Sequence, residues 1–528
     1  MRLRKTKAAD GRSAILIVLK YLLLGLAIVA AAIVVARVVF ALPAHDGKPG
    51  TALDPAKTGP LAEALTAPAA AHPGLSGIAP LQNGADAFAA RMILADAAVS
   101  SIDAQYYIWH YDLTGALLLD ALKRAADRGV RVRLLLDDHG STGLDAQLAQ
   151  LDAHPMAEVR LYNPFPLRRF KLLSYGFDFF RLNRRMHNKS FTVDNHATIL
   201  GGRNVGDEYF GTGEVALYVD LDIMAVGEVV PRVSADFDTY WNSQPVHPAT
   251  PIVGPAGEAD AIAGLLARFH GTDQMRTYRT ILDASKIVPQ LTRGTLPLEW
   301  TTAVLVSDKP AKGQGLARQK DLLVTRLADA VGEVSERFDG ISPYFVPGKS
   351  GVRNFSALEA RGVQVRLLTN SLEATDVLPV HAGYAKYRKD LLKGGARLFE
   401  LRRTATLEVP ADRLGPFGSS GASLHAKTFA VDGERIFVGS FNFDPRSITL
   451  NTEMGLLIDS KAMAVRLHDA FDNGLSGLAW EVENRAGDMV WVDPSAPTAA
   501  PLTTEPGGSV MRNLAITVIG WLPVEWLL

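Results

Sequence analysis

The sequence predicts an α/β fold. It has two similar lobes, each an α/β/α sandwich, related by a pseudo-twofold and preceded by a transmembrane helix. Three observations predict it. A His-x-Lys-x4-Asp pattern occurs twice, as His187, Lys189 and Asp194 and again as His425, Lys427 and Asp432. Each copy is followed at the same spacing by a small-residue pair and an asparagine: Gly201, Gly202 and Asn204, then Gly439, Ser440 and Asn442. At 528 residues the chain is long enough to bury two sizeable cores.

The elements follow in chain order. Residues 1–13 are a basic tail with Arg2, Arg4, Lys5, Lys7 and Arg12. Residues 14–42 are apolar apart from Lys20 and Arg37, about the ~20 residues needed to cross hydrocarbon. This run is too long for a signal-peptide core and reads as an uncleaved anchor. The heavier positive flank is N-terminal, which puts the lobes on the side away from the cytoplasm, periplasmic for an inner-membrane protein. Residues 43–79 are rich in Ala, Pro and Gly and read as a tether. The first lobe is expected over 80–250, a connecting segment over 251–315, and the second lobe over 316–485. A tail follows over 486–528. Its apolar end, 513–528, carries Trp521 and Trp526. That end suits either a membrane interface or packing against the lobes.

Within each lobe the repeat extends upstream of the motif. Residues 125–135 parallel 358–368: a helix end, a glycine stop at Gly129 or Gly362, then a hydrophobic strand. A further strand is expected before each, over 101–109 and 340–346. The motifs read as strand, turn, strand. Residues 189–193 and 427–431 alternate like strands, and Asp194-Asn195 or Asp432-Gly433 supplies the turn. Alternation puts His and Lys of each motif on one face of a strand.

The chemistry suited to such a pair is displacement at phosphorus. One imidazole attacks and the other protonates the leaving alkoxide. Lysines hold the phosphate oxygens, with Asn204 and Asn442 as further donors. Asp194 and Asp432, at the turns, suit a structural role better than chemistry. The formal net charge is −1, so no global preference for polyanions follows. Cysteine is absent, which excludes thiol nucleophiles and cysteine metal sites. No zinc or magnesium ligand pattern is present, so no metal and no cofactor are expected. Residues 163–189 interleave Arg168, Arg169, Lys171, Arg181, Arg184 and Arg185 with Phe165, Phe170, Tyr175, Phe177, Phe179 and Phe180. With an anchor upstream, this mixture suits an anionic lipid surface rather than nucleic acid. A second basic run, from Lys386 to Arg403, reads as a solvated helix face.

These motifs resemble those of the phospholipase D superfamily, over about residues 80–485. Three stretches are similar to bacterial cardiolipin synthases of the C type: residues 439–453, Asp308 to Lys312 with its flanks, and residues 381–388. The resemblance implies phosphatidyl transfer to phosphatidylglycerol from phosphatidylethanolamine or a second phosphatidylglycerol, through a covalent phosphohistidine. Hydrolysis to phosphatidic acid and a tethered phosphodiesterase or nuclease are the alternatives. It implies phospholipid substrates and a membrane and names no protein partner; with the anchor upstream, no nucleic acid is expected. It favours His187 as nucleophile, with His425 as acid and then base. Glu453, at the family's spacing, is expected to orient His425. Asp222, or else Asp220, is expected to orient His187.

Overall fold

In the computed structural model, residues 3–43, 48–211, 218–285, 287–403 and 423–528 are described. The strands in chain order are β1 Ser76–Leu81, β2 Ser101–Ile108, β3 Arg131–Gly140, β4 Ala157–Tyr162, β5 Ser190–Val193, β6 Ala197–Gly201, β7 Tyr218–Val219, β8 Asp222–Gly227, β9 Val246–Pro248 and β10 Glu299–Thr301. They continue as β11 Ala303–Ser307, β12 Arg337–Ile341, β13 Gln364–Asn370, β14 Arg397–Leu401, β15 Ser423–Leu424, β16 Thr428–Val431, β17 Arg435–Gly439, β18 Met454–Ile458, β19 Ala479–Arg485 and β20 Asp488–Val492.

Two nine-stranded sheets result. The first has the order β10-β1-β8-β6-β5-β2-β3-β4-β9, the second β11-β18-β17-β16-β12-β13-β14-β19-β20. Set β1 against β11 and the orders correspond strand for strand; β10 and β20 are the unmatched edges. In both sheets the central trio is parallel, β2-β3-β4 and β12-β13-β14, and crossover helices join its members. The helices Leu113–Asp127 and Gly348–Ala360 end before Gly129 and Gly362, whose φ of 92° and 88° turn the chain into the next strand. The strand expected over 340–346 runs earlier, over Arg337–Ile341. Pro343 lacks an N–H and cannot extend the ladder.

The sheets meet face to face. Ile223, Ala225, Val229 and Leu200 of the first lobe share one apolar cluster with Ile341, Val438, Met454 and Leu456 of the second. At the seam, β7 and β15 pair in parallel, Val219 opposite Leu424. A parallel bridge joins Met186 to Thr452. These two short pairings carry the site.

Several expected boundaries move. The stretch read as a tether is bound to the first lobe. Arg160 and Arg131 donate to the carbonyls of Lys48 and Thr51, and Asn242 and Asp238 accept from the amides of Gly50 and Ala52. Pro60 then opens a helix to Ala71 that buries Ala62. Its composition resembles a flexible linker, but Pro at a helix start and small residues against a core serve packing equally well. The connecting segment divides between the sheets: β10 closes the first, and β11 opens the second two residues later. The second sheet also runs past 485, because β20 completes it.

The N-terminal helix, Leu3–Val39, includes Ile15–Val39, which is long and apolar enough to cross a membrane and is unburied throughout. Its end docks on the helix Lys171–Leu182. Arg37 donates to the Phe177 carbonyl at 2.8 Å, and the Phe40 and Phe177 rings are 5.8 Å apart. Most cations between 163 and 189 are neutralised within the fold. Arg168 and Lys171 pair with Asp138, Arg181 with Asp178, and Arg185 with Asp137. The later basic run is not simply solvated, since Arg388 is buried against Glu400 and Glu505. The C-terminal end packs on the second lobe: Glu525 bonds Lys386 and Tyr387, and the Arg446 amide donates to the carbonyl of Leu528. Its helix Val510–Trp521 nevertheless leaves Val510, Met511 and Trp521 exposed.

Candidate active site

Each motif histidine precedes a short strand that runs back into its own sheet, and each is held at the seam by the opposite lobe. The amides of His425 and Ala426 donate to the Val219 carbonyl at 2.8 Å. The His187 amide donates to the Thr452 carbonyl at 2.9 Å. Register then fixes which acid meets which ring. Asp220 follows Val219 and lies beside His425; Glu453 follows Thr452 and lies beside His187. The contacts are His425 Nδ1 to Asp220 Oδ2 at 2.6 Å and His187 Nδ1 to Glu453 Oε2 at 2.7 Å.

The orienting acids are therefore exchanged between lobes, which corrects the sequence expectation. Glu453 serves His187, not His425. Asp222 orients neither histidine: it is buried in an ion pair with Arg91 at 2.8 Å and accepts from the Arg203 amide. The Asp220 alternative is the one at a ring, but the ring is that of His425.

A carboxylate on Nδ1 fixes the tautomer and leaves Nε2 for chemistry. Both rings and both lysines are buried. Lys189 and Lys427 each donate to the carbonyl of their own histidine. An ammonium has three donors, and among the described residues Lys189 gives one of them, to the His187 carbonyl. Tyr107 meets the His187 ring edge-on at 4.9 Å and Tyr209 meets His425 at 5.1 Å. Sequence reasoning did not single out these two tyrosines; neither belongs to a repeated motif.

Electrostatics separates the half-sites. Burial, then the charges of Lys189 and Lys427, holds His187 well below its ordinary pKa. Burial and Lys427 also lower His425, but Asp220 opposes them. Burial pushes Lys189 down to about 7 and Lys427 to about 8. Burial likewise lifts Glu453 to about 7. It works against ionisation of Asp220 too, yet His425 and Lys427 hold that carboxyl at about 2.

The remaining expected residues fall into place around this core. Asp194 accepts from the amides of Val99, Ser100 and Ser101, and Asp432 from those of Ser335, Glu336 and Arg337. Both sit at positive φ in the hairpin turns and pin the start of β2 or β12. They hold backbone amides rather than reactants. Asn204 is spent on structure, accepting from the Ile108 amide and donating to Tyr209. Asn442 keeps a buried carbonyl oxygen with no partner among the described residues. The Ser440 hydroxyl donates to Glu453, as does that of Ser447. Asp308 accepts from the Glu453 amide and pairs with Lys312 at 2.6 Å, and Lys312 donates to the Ser447 carbonyl. The Asp308-to-Lys312 stretch is thus the buttress of Glu453. Among the described residues, His110, Asp112 and Glu208 lie within 4.8 Å of one another and could ligate a metal, at a more exposed place than the motif pair.

Two half-sites, each a histidine, a lysine and an acid lent by the other lobe, define a class: pseudo-dimeric α/β proteins equipped for displacement at phosphorus. The chain belongs to the family described as cardiolipin synthase, PLD-like domain, which matches residues 93–241 and 327–475. It is 48% identical to cardiolipin synthase C of Escherichia coli over 89% of this chain and 99% of that one. It is 32% identical to an uncharacterized Helicobacter pylori protein over 75% of this chain and 78% of that one. In fold it resembles the phosphatidylserine synthase of Haemophilus influenzae, with a TM-score of 0.54 and 14% identity, covering 88% of this chain and 100% of that one.

Proposed function

We propose that this membrane protein makes cardiolipin by moving a phosphatidyl group from a donor phospholipid to the free glycerol hydroxyl of phosphatidylglycerol. The exchanged dyads carry this reading, because they present two imidazoles, each with an acid on Nδ1 and His187 held further below its ordinary pKa than His425, beside two lysines. His187, held neutral, attacks phosphorus through Nε2. The bond to the headgroup oxygen breaks as His425 delivers its proton, and a phosphatidyl-histidine remains. His425, now neutral, takes the proton of the acceptor hydroxyl. That oxygen attacks phosphorus, cardiolipin leaves, and His187 is restored. Lys189 and Lys427 offset the charge on the phosphorane oxygens without a metal. Asp220 stabilises the imidazolium of His425.

The donor is phosphatidylethanolamine, releasing ethanolamine, or phosphatidylglycerol, releasing glycerol. The anchor lies in the inner membrane with the lobes on the periplasmic side, supported by the basic N-terminal flank. Mass spectrometry of lipids after adding purified protein to mixed vesicles tests the reaction. Cardiolipin is expected; phosphatidic acid alone would replace transfer with hydrolysis, and no lipid product would reject the proposal.

A further inference from the structure

Transfer between two lipids requires a second lipid whose own phosphate lies outside the reacting cleft. A cavity of about 570 Å³ adjoins the cleft, roofed by residues 165–175. His139 forms its inner wall. That ring stacks 6.2 Å from Tyr107, and Tyr107 is the ring packed edge-on against His187. The cavity floor is therefore one aromatic ring removed from the proposed nucleophile.

The lining is two-faced. Arg168 and Lys171 are already engaged by Asp138 and Asp145. Arg169 is not: among the described residues no carboxylate pairs with it, and its guanidinium lies 5.8 Å from the ring of Phe170. It is an exposed cation without a counter-ion, beside Leu172 and Leu173, which are 81% and 63% exposed. A guanidinium beside apolar side chains matches a phosphate above acyl chains. The volume is in the range that holds a small amphiphile.

The cavity also lies beside the end of the apolar N-terminal helix. The helix that begins at Lys171 is the one on which the end of the anchor docks, through Arg37 and Phe40. The exposed Phe180 continues the apolar face, and the Phe179 ring lies 6.4 Å from Trp526 of the C-terminal end. The anchor end and the C-terminal end thus both bring aromatic side chains to the helix that begins at this cavity.

We infer that this cavity is the acceptor subsite: it holds an anionic phospholipid with its phosphate on Arg169 and its free headgroup hydroxyl directed past His139 and Tyr107 to the phosphatidyl-histidine. This rests on the transfer reading above. A bound acceptor here also excludes the water that would otherwise hydrolyse the intermediate.

The test uses the full chain in vesicles, with donor phosphatidylethanolamine saturating and phosphatidylglycerol varied. Arg169→Glu is expected to raise the KM for phosphatidylglycerol at least about tenfold, the loss of a charge-assisted contact. It should also shift product from cardiolipin toward phosphatidic acid. Arg169→Lys should recover most of both, and Arg397→Glu, an exposed pair with Glu481 on the second lobe, should change neither. An Arg169→Glu enzyme with wild-type KM and product ratio would overturn the subsite. A wild-type enzyme that makes no cardiolipin would instead overturn the transfer reading. A photo-crosslinking residue at Leu172 then reads the cavity directly: labelling of phosphatidylglycerol over phosphatidylcholine supports it, and equal labelling of both contradicts it.

Discussion

The two half-sites share a motif but not an electrostatic state. On one side His425 faces Asp220, an aspartate held at about 2 by the cations around it. On the other His187 faces Glu453, a glutamate lifted to about 7 and steadied by two serine hydroxyls. The small-residue pairs tell the same story. A Cβ at Gly202 would run into the Asp220 carboxylate, so glycine leaves room for the acid. Its counterpart, Ser440, supplies a hydroxyl to the longer acid instead. A duplicated scaffold has thus been made unequal at the few atoms that set proton affinity. Groups whose environments drive their protonation apart are those that divide acid and base roles.

The largest expected effect breaks the pair outright. His187→Ala should abolish product formation from any donor, since no nucleophile remains. His425→Ala should lower kcat by about 10²–10⁴ with natural donors, the usual worth of a positioned acid. A phosphatidyl donor with a p-nitrophenol leaving group needs no proton to depart. Its first-step release, followed by absorbance, should survive in His425→Ala and vanish in His187→Ala; the reverse pattern would exchange the two roles.

Replacing each lysine comes next. Lys189→Met and Lys427→Met should each cost about 10²–10³ in kcat, as for other preorganised charge on a transition state, with folding checked by circular dichroism. Added divalent cations should rescue neither.

The pH dependence of kcat/KM sharpens the comparison. The active form needs His187 neutral and His425 protonated, and both histidines lie below their ordinary values, His187 more so. The profile should be bell-shaped on the acid side of neutrality. Asp220 raises the pKa of His425, so Asp220→Asn should lower that pKa and move the basic limb to lower pH. Glu453→Gln removes a group that is already partly protonated near neutrality, and should move that limb less. Equal displacements would mean that the half-sites are electrostatically alike.

The smallest effects concern the turn aspartates and appear in stability. Asp194 is buried and Asp432 is partly exposed. Each accepts three backbone amides, so Asp194→Ala should cost about 3 kcal/mol and Asp432→Ala about 1–2 kcal/mol. Denaturant titration measures both, and residual activity should follow the folded fraction.

Much of this was legible in the sequence, for a local reason. The hairpins, the glycine stops and the His-Lys face arise from residues close along the chain, so duplication of the pattern disclosed two lobes and a shared cleft. The acid assignment was not legible. The family resemblance, read within one lobe, put Glu453 with His425, whereas the Met186–Thr452 bridge, an interaction between distant segments, brings it to His187. The choice between Asp220 and Asp222 likewise depended on where β7 ends and β8 begins, which only pairing across the seam decides. Arg91, the partner of Asp222, lies far back on the helix Gly84–Ala97 and carries no motif. The tether failed because composition alone does not report which backbone groups find partners.

The central claim is that one named imidazole carries the phosphatidyl group. Rapid quenching of His425→Ala with the p-nitrophenol donor, followed by digestion and peptide mass spectrometry, tests it most directly. The account predicts a phosphatidyl adduct on the peptide containing His187 and none on that peptide in His187→Ala. Under the same quench, an adduct on His425 in wild-type protein, with His187 unmodified, would contradict it.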